Sequence, residues 1–210
     1  MVEKTFYTKE NDCDGYVVNG HACGYSATNS GTLMYVGTLS TTCLNDNMRD
    51  VARSFVSFDT SSIPKSATIT DAKVYFYYAG HTKSSKIFMW NAAYTPQVRV
   101  NVRSDFIGDE VDTSDYSFGG INIASYGRIT FTGWSAGYKE IDCTDYVNKG
   151  GDTDFMIYVN QDFEDEMQND SKYYYLHFNT VETSFQNKDP KLVVTYTVKG
   201  RVFTAIIGAS

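Results

Sequence analysis

The chain is short of the residues that interrupt, staple or do chemistry in a fold. Among 210 residues there are only 3 Pro, 3 His, 2 Trp and 4 Cys. The histidines His21, His81 and His177 are isolated from one another, and no Gly-x-Ser-x-Gly nucleophile elbow occurs. Carboxylates are plentiful, yet no spacing singles out two of them as a glycosidase pair. The expectation is a protein without a catalytic role. Basic residues are scarce as well. Eighteen Lys and Arg against 25 Asp and Glu leave a net charge of −7, and no basic run exceeds two residues. A nucleic-acid partner, which needs clustered cations, is therefore not expected. No apolar run approaches the roughly 20 residues of a membrane-spanning helix, so no membrane insertion is expected. The opening MVEKTFYTKEND is charged where a secretory leader would be apolar. A cytosolic product, a mature domain and a virion component assembled in the cytosol all fit these absences.

What the chain has in quantity is Tyr (17) and Phe (13), and aromatics make up 15% of it. Such residues suit pleated, half-buried surfaces. The stretch RSFVSFDTSSIPKSATITDAKVYFYY, residues 53–78, shows how they are used. Ser54, Val56 and Phe58 alternate with Arg53, Phe55 and Ser57, and after a turn Ala72, Val74, Phe76 and Tyr78 alternate with Lys73, Tyr75 and Tyr77. Period two marks strands with one face inward. Pro64 forbids a continuous ladder between them, and Asp59 is read as a carboxylate capping the turn. Further strands are expected in KIFMWNAAY, VRVNVR, RITFTGW, GYKEIDCTDYV, FMIYVN, YYYLHFN and KLVVTYTV. In GYKEIDCTDYV, Tyr138, Glu140 and Asp142 oppose Lys139, Ile141 and Cys143. FMIYVN is apolar almost throughout. About nine strands without an amphipathic helix imply a single all-β domain, a jelly-roll-like antiparallel β-sandwich.

Residues 1–52 are less regular and are expected to add one or two strands and long loops to a sandwich over residues 53–198. Asn19-Gly20 reads as a tight hairpin turn between Cys13 and Cys23. Those two cysteines form a disulfide closing that loop, or all four cysteines stay reduced. Zinc is the weaker idea, since Cys13, His21 and Cys23 lack paired short spacings. Residues 104–127 and 161–172 read as polar, acidic connections. Residues 199–210, ending in RVFTAIIGAS, are strongly apolar for a terminus.

The 53–78 stretch resembles the opening of DNRLRE-type domains, which are similar to disaggregatase-related and carbohydrate-binding jelly-roll modules. The resemblance rests on Phe58-Asp59, Ser62-Ile63-Pro64 and Ala67-Thr68-Ile69. It continues in Ile141-Asp142-Cys143-Thr144, then Glu182 and the run from Pro190 to Tyr196, and spans about residues 53–198. The Cys-containing loops before Arg53 and the tail beyond residue 198 fall outside the pattern. The resemblance implies an extracellular, non-catalytic module of surface, adhesion or phage-type proteins, some of whose relatives resemble polysaccharide binders.

Three kinds of site follow. Flat rings stack on the apolar face of a sugar, and Tyr75, Tyr77 and Trp90, with Asn91 adjacent, are the candidates on an outward sheet face. YYYLHFN adds Tyr173, Tyr174, Tyr175 and His177. For Trp90 and Trp134 a place in the core is the competing assignment. Calcium takes six to eight oxygens, which Asp109, Asp112 and Asp115, or Asp162, Glu164 and Asp165, would supply; a solvated acidic face explains the same residues. Val202, Phe203, Ile206 and Ile207 would form an oligomer contact. Polysaccharide and further subunits, including copies of the chain itself, are the expected partners. A virion, or the extracellular or cell-surface space, is the expected location.

Overall fold

The computed structural model describes residues 1–8, 14–20, 24–29, 31–39, 50–83, 96–100, 111, 113–117, 121–125, 135–159, 174–180 and 188–198. These contain the strands β1 (Val2–Tyr7), β2 (Asp14–Gly20), β3 (Gly24–Thr28), β4 (Leu33–Leu39), β5 (Asp50–Asp59) and β6 (Thr68–Lys83). They continue with β7 (Pro96–Val100), β8 (Ile121–Ser125), β9 (Gly137–Asp142), β10 (Asp152–Val159), β11 (Tyr174–Asn179) and β12 (Lys191–Thr197). Two 3₁₀ turns, Thr113–Ser117 and Thr144–Tyr146, complete the set. No described helix is long and apolar enough to cross a membrane.

Every strand pair among the described residues is antiparallel, along the path β1-β12-β6-β11-β4-β5-β10-β7-β8. β9 joins β6, and β2, which carries β3, joins β5. The path doubles back on itself as an all-β sandwich around one main core. The organising strand is β6. Tyr75 pairs with Lys191 on one edge and Glu140 on the other, and Tyr78 pairs with Phe178 and Gly137. So β9 holds one edge, while β12 and then β11 share the other. Between Phe178–Tyr78 and His177–Gly80 the register slips, leaving Ala79 as the extra residue of a bulge.

The expected alternations place the core. Val56, Phe58, Ala72, Val74, Phe76, Tyr78, Ile141 and Cys143 all belong to it, together with Phe155 and Ile157 of β10 and Leu192 and Val194 of β12. Phe58 meets Phe155 edge-on at 5.9 Å, and Phe76 meets Phe178 at 6.3 Å, geometries that suit the ring quadrupoles. Each fully buried ring or branched chain contributes about 1.5–3 kcal/mol.

The turn between β5 and β6 and the segment after β9 close one end of this core. Ile63 is fully buried and Ala67 nearly so. Asp59 accepts from the Ser61 amide at 2.9 Å, the capping expected of it. Thr60 is buried and its hydroxyl bonds Asn148 O, Gly151 O and Thr153. Asp142 accepts from both the amide and the hydroxyl of Thr144, whose Oγ1 in turn accepts from the Ala72 amide. The Asp-x-Thr segment thus ties the end of β9 to β6.

Two expectations need correction. Residues 1–52 hold four strands, not one or two; Gly and Asn within them disguise the pattern, and pairing to β5, β11 and β12 supplies what local propensity lacks. Asn19-Gly20 is not the hairpin turn, because Asn19 pairs with Tyr25 and Gly20 with Gly24, so both are ladder residues of β2. The 104–127 connection contains a 3₁₀ turn and β8, and it covers part of the sheet. Val111 and Tyr116 pack with Val17, Phe55, Met156 and Tyr158 in a second buried cluster. Arg53 lies over the Tyr116 ring at 4.0 Å and donates to the Tyr116 carbonyl. The sheet at β5 and β10 is therefore buried on both faces, which explains the continuous apolar run of FMIYVN.

Candidate functional site

Among the described residues, the outward face of β6 brings the expected Tyr75 and Tyr77 together with a third ring. With Phe76 and Tyr78 turned into the core, Tyr75 and Tyr77 point outward and are half-buried. β9 adds Tyr138, whose ring meets Tyr75 at 6.2 Å and Tyr77 at 5.4 Å, edge-on in both cases. Across the sheet the row Tyr7–Lys191–Tyr75–Glu140 is in register, and Tyr7 is 58% exposed.

Cations frame these rings. Lys191 Nζ lies 5.3 Å from the Tyr75 centroid and 4.6 Å from that of Tyr138, and Lys188 lies 4.8 Å from Tyr77. Cation–π attraction holds such lysines against ring faces. Lys73 is instead bound to Glu140 at 3.2 Å, which raises its pKa. The Tyr138 hydroxyl donates to the Asp189 carbonyl at 3.1 Å. Burial first, then the Asp189 charge, push its pKa to about 12, so the phenol stays protonated and able to donate. Burial also raises the Asp189 pKa.

A second aromatic group lies on the same side of β6, past the bulge. Leu176 and Phe178 face the core, so Tyr175 and His177 take the opposite face of β11. His177 stacks on Tyr175 at 5.1 Å, meets Tyr35 edge-on at 5.4 Å, and shares a 2.9 Å hydrogen bond between its Nε2 and Thr82 Oγ1. Tyr35 touches Tyr175 at 5.3 Å and Tyr16 at 4.9 Å. Burial and the neighbouring His81 lower the His177 pKa, which favours a neutral imidazole at pH 7.

Tyr138, Tyr35 and the lysines were not singled out from the sequence. Their signal was the outward position of Tyr138 opposite an aromatic strand, visible only once β9 is known to pair with β6. Trp90, Asn91, Trp134, Tyr173, Cys13, Cys23, Asp109, Asp112, Asp162, Glu164, Asp165, Val202, Phe203, Ile206 and Ile207 lie outside the described residues. Asp115 falls in the 3₁₀ turn Thr113–Ser117. Among the described residues no group of three or more His, Cys, Asp or Glu is placed to hold a metal ion. Cys143 is a buried thiol whose pKa burial pushes up to about 12, which makes it a core residue and not a nucleophile.

No protein-family model matches the chain, and no curated protein matches it.

Proposed function

We propose that the chain is a non-catalytic structural and adhesion module, a β-sandwich displayed on a virion or another extracellular assembly, that binds polysaccharide through the outward face of β6 and β9. The observation that carries this reading is the cluster of Tyr75, Tyr77 and Tyr138 bordered by Lys188 and Lys191. Half-buried rings offer apolar area held rigid by their neighbours, and phenol and ammonium donors beside them suit hydroxyl and ether oxygens. The likeness of residues 53–198 to DNRLRE-type modules supports the same reading, though fold likeness alone does not transfer a ligand. A dedicated calcium-assisted module is the alternative, with Ca²⁺ bound in the acidic 104–127 and 161–172 segments.

The test is retardation of the purified domain in polysaccharide-containing gels, backed by a glycan array, with calcium and with EDTA. Tyr77→Ala is expected to weaken retention by about tenfold, as truncation of a central contact residue does, while the domain stays folded. Retention lost in EDTA selects the calcium-assisted form. A folded domain that no glycan retains ends the proposal.

A further inference from the structure

The two aromatic groups described above are two ends of one surface. Along β6, Tyr75 and Tyr77 are followed on the same side by the Ala79-Gly80 bulge and then Thr82. His177 pairs with Gly80 and Tyr175 with Thr82, and Tyr35 pairs with His177 one strand further on. At about 3.3 Å per residue and about 4.8 Å between strands, the line from Tyr138 on β9 to Tyr35 on β4 runs about 17 Å diagonally over four strands. Among the described residues, β6 carries no large outward side chain in the middle of that line. Ala79 is exposed, and a Cβ added at Gly80 would meet nothing within 4 Å. A twisted, bulged strand thus lays a low floor between two raised groups of rings.

We infer that this surface binds the interior of a linear polysaccharide chain, several sugar units at once, with one aromatic group at each end of the bound stretch. The inference rests on the polysaccharide reading and gives it a geometry: a flat track for a continuing chain, not a pocket for a chain end. At the Tyr138 end Lys191 lies against the rings of Tyr75 and Tyr138, an ammonium donor that suits oxygen-dense ligand groups. Among the described residues no carboxylate lies within ion-pairing distance of Lys191. At the other end the His177 ring, stacked on Tyr175 and held through Nε2, has Nδ1 without a partner among the described residues and able to bond a sugar hydroxyl.

The experiment is a chain-length series by calorimetry, using cello-, xylo- and chito-oligosaccharides and oligogalacturonides from the disaccharide upward. For the class that binds, affinity is expected to climb about tenfold or more beyond the disaccharide, since each engaged aromatic group adds its own share. Tyr175→Ala, which alters the far group, and Ala79→Leu, an exposed position where bulk blocks the floor without touching the core, should each flatten that climb. Wild-type affinity that stops rising at the disaccharide overturns the inference and leaves the polysaccharide reading standing. So does an unaltered climb in both variants. Absence of binding at every length removes the reading itself, and the inference with it.

Discussion

At the scale of single residues, this chain uses small side chains where backbone approaches backbone. A Cβ on Gly15 would stand 2.2 Å from the Thr28 carbonyl oxygen, an atom of the neighbouring ladder that cannot swing aside. Gly15→Ala is therefore expected to cost about 1–3 kcal/mol through forced separation of β2 and β3, read as a lower urea midpoint. A midpoint equal to wild type would mean that this hairpin adapts freely. Nothing in the letters around Gly15 announces the constraint, because it comes from Thr28, which only the β2–β3 register brings near. Asp59 is the opposite case. Its turn sequence predicts the capping bond that the Ser61 amide makes, since donor and acceptor are two residues apart.

At the scale of elements, β5 and β10 carry more than the alternation in β5 implies. Alternation alone assigns Phe55 to the outer face, and an exposed Phe is a near-neutral site to truncate. The structure covers it with Val111 and Tyr116, and Phe55 is fully buried. Phe55→Ala should then cost about 3–5 kcal/mol, on a par with Phe58→Ala in the main core. A loss within about 0.5 kcal/mol, the range of surface changes, would show that the cover is not formed in solution. Ser57 adds to the argument. It is buried on this face and donates to Asp154 at 2.6 Å, a bond that a solvated face would not need. The apolar run of β10 hinted at two buried faces, but what covers the second face is Val111 and Tyr116, far away in the chain in a segment that reads as polar loop. In the candidate site the same division holds: Tyr75 and Tyr77 were legible from period two, whereas Tyr138 and the lysines needed the pairing of β6 with β9 and β12.

At the scale of the whole molecule, pH tests how the second aromatic group is built into the fold. The folded pKa of His177 lies below its ordinary 6.5, so below that pH the unfolded chain binds the proton more readily. Stability from this group is full above about pH 6.5 and is lost as pH falls toward the folded value. His81, Tyr35 and Tyr175 surround the ring, and Thr82 holds it. Asp50 and Asp189, raised by burial, act the other way only in more acidic solution. The urea midpoint is expected to fall between about pH 7.5 and 5.5, and His177→Gln should reduce that fall; an identical pH profile in the variant would count against it. By itself the sequence determined the fold class, the inward face of each main strand and the outward place of Tyr75 and Tyr77, because those follow from a two-residue period and local turn chemistry. Only the tertiary structure decided the rest: four strands in the N-terminal region, the second buried cluster, and the joining of Tyr138, His177 and Tyr35 to one surface. These depend on pairings between residues far apart in the chain, whose energies arise from burial and register that no local window contains.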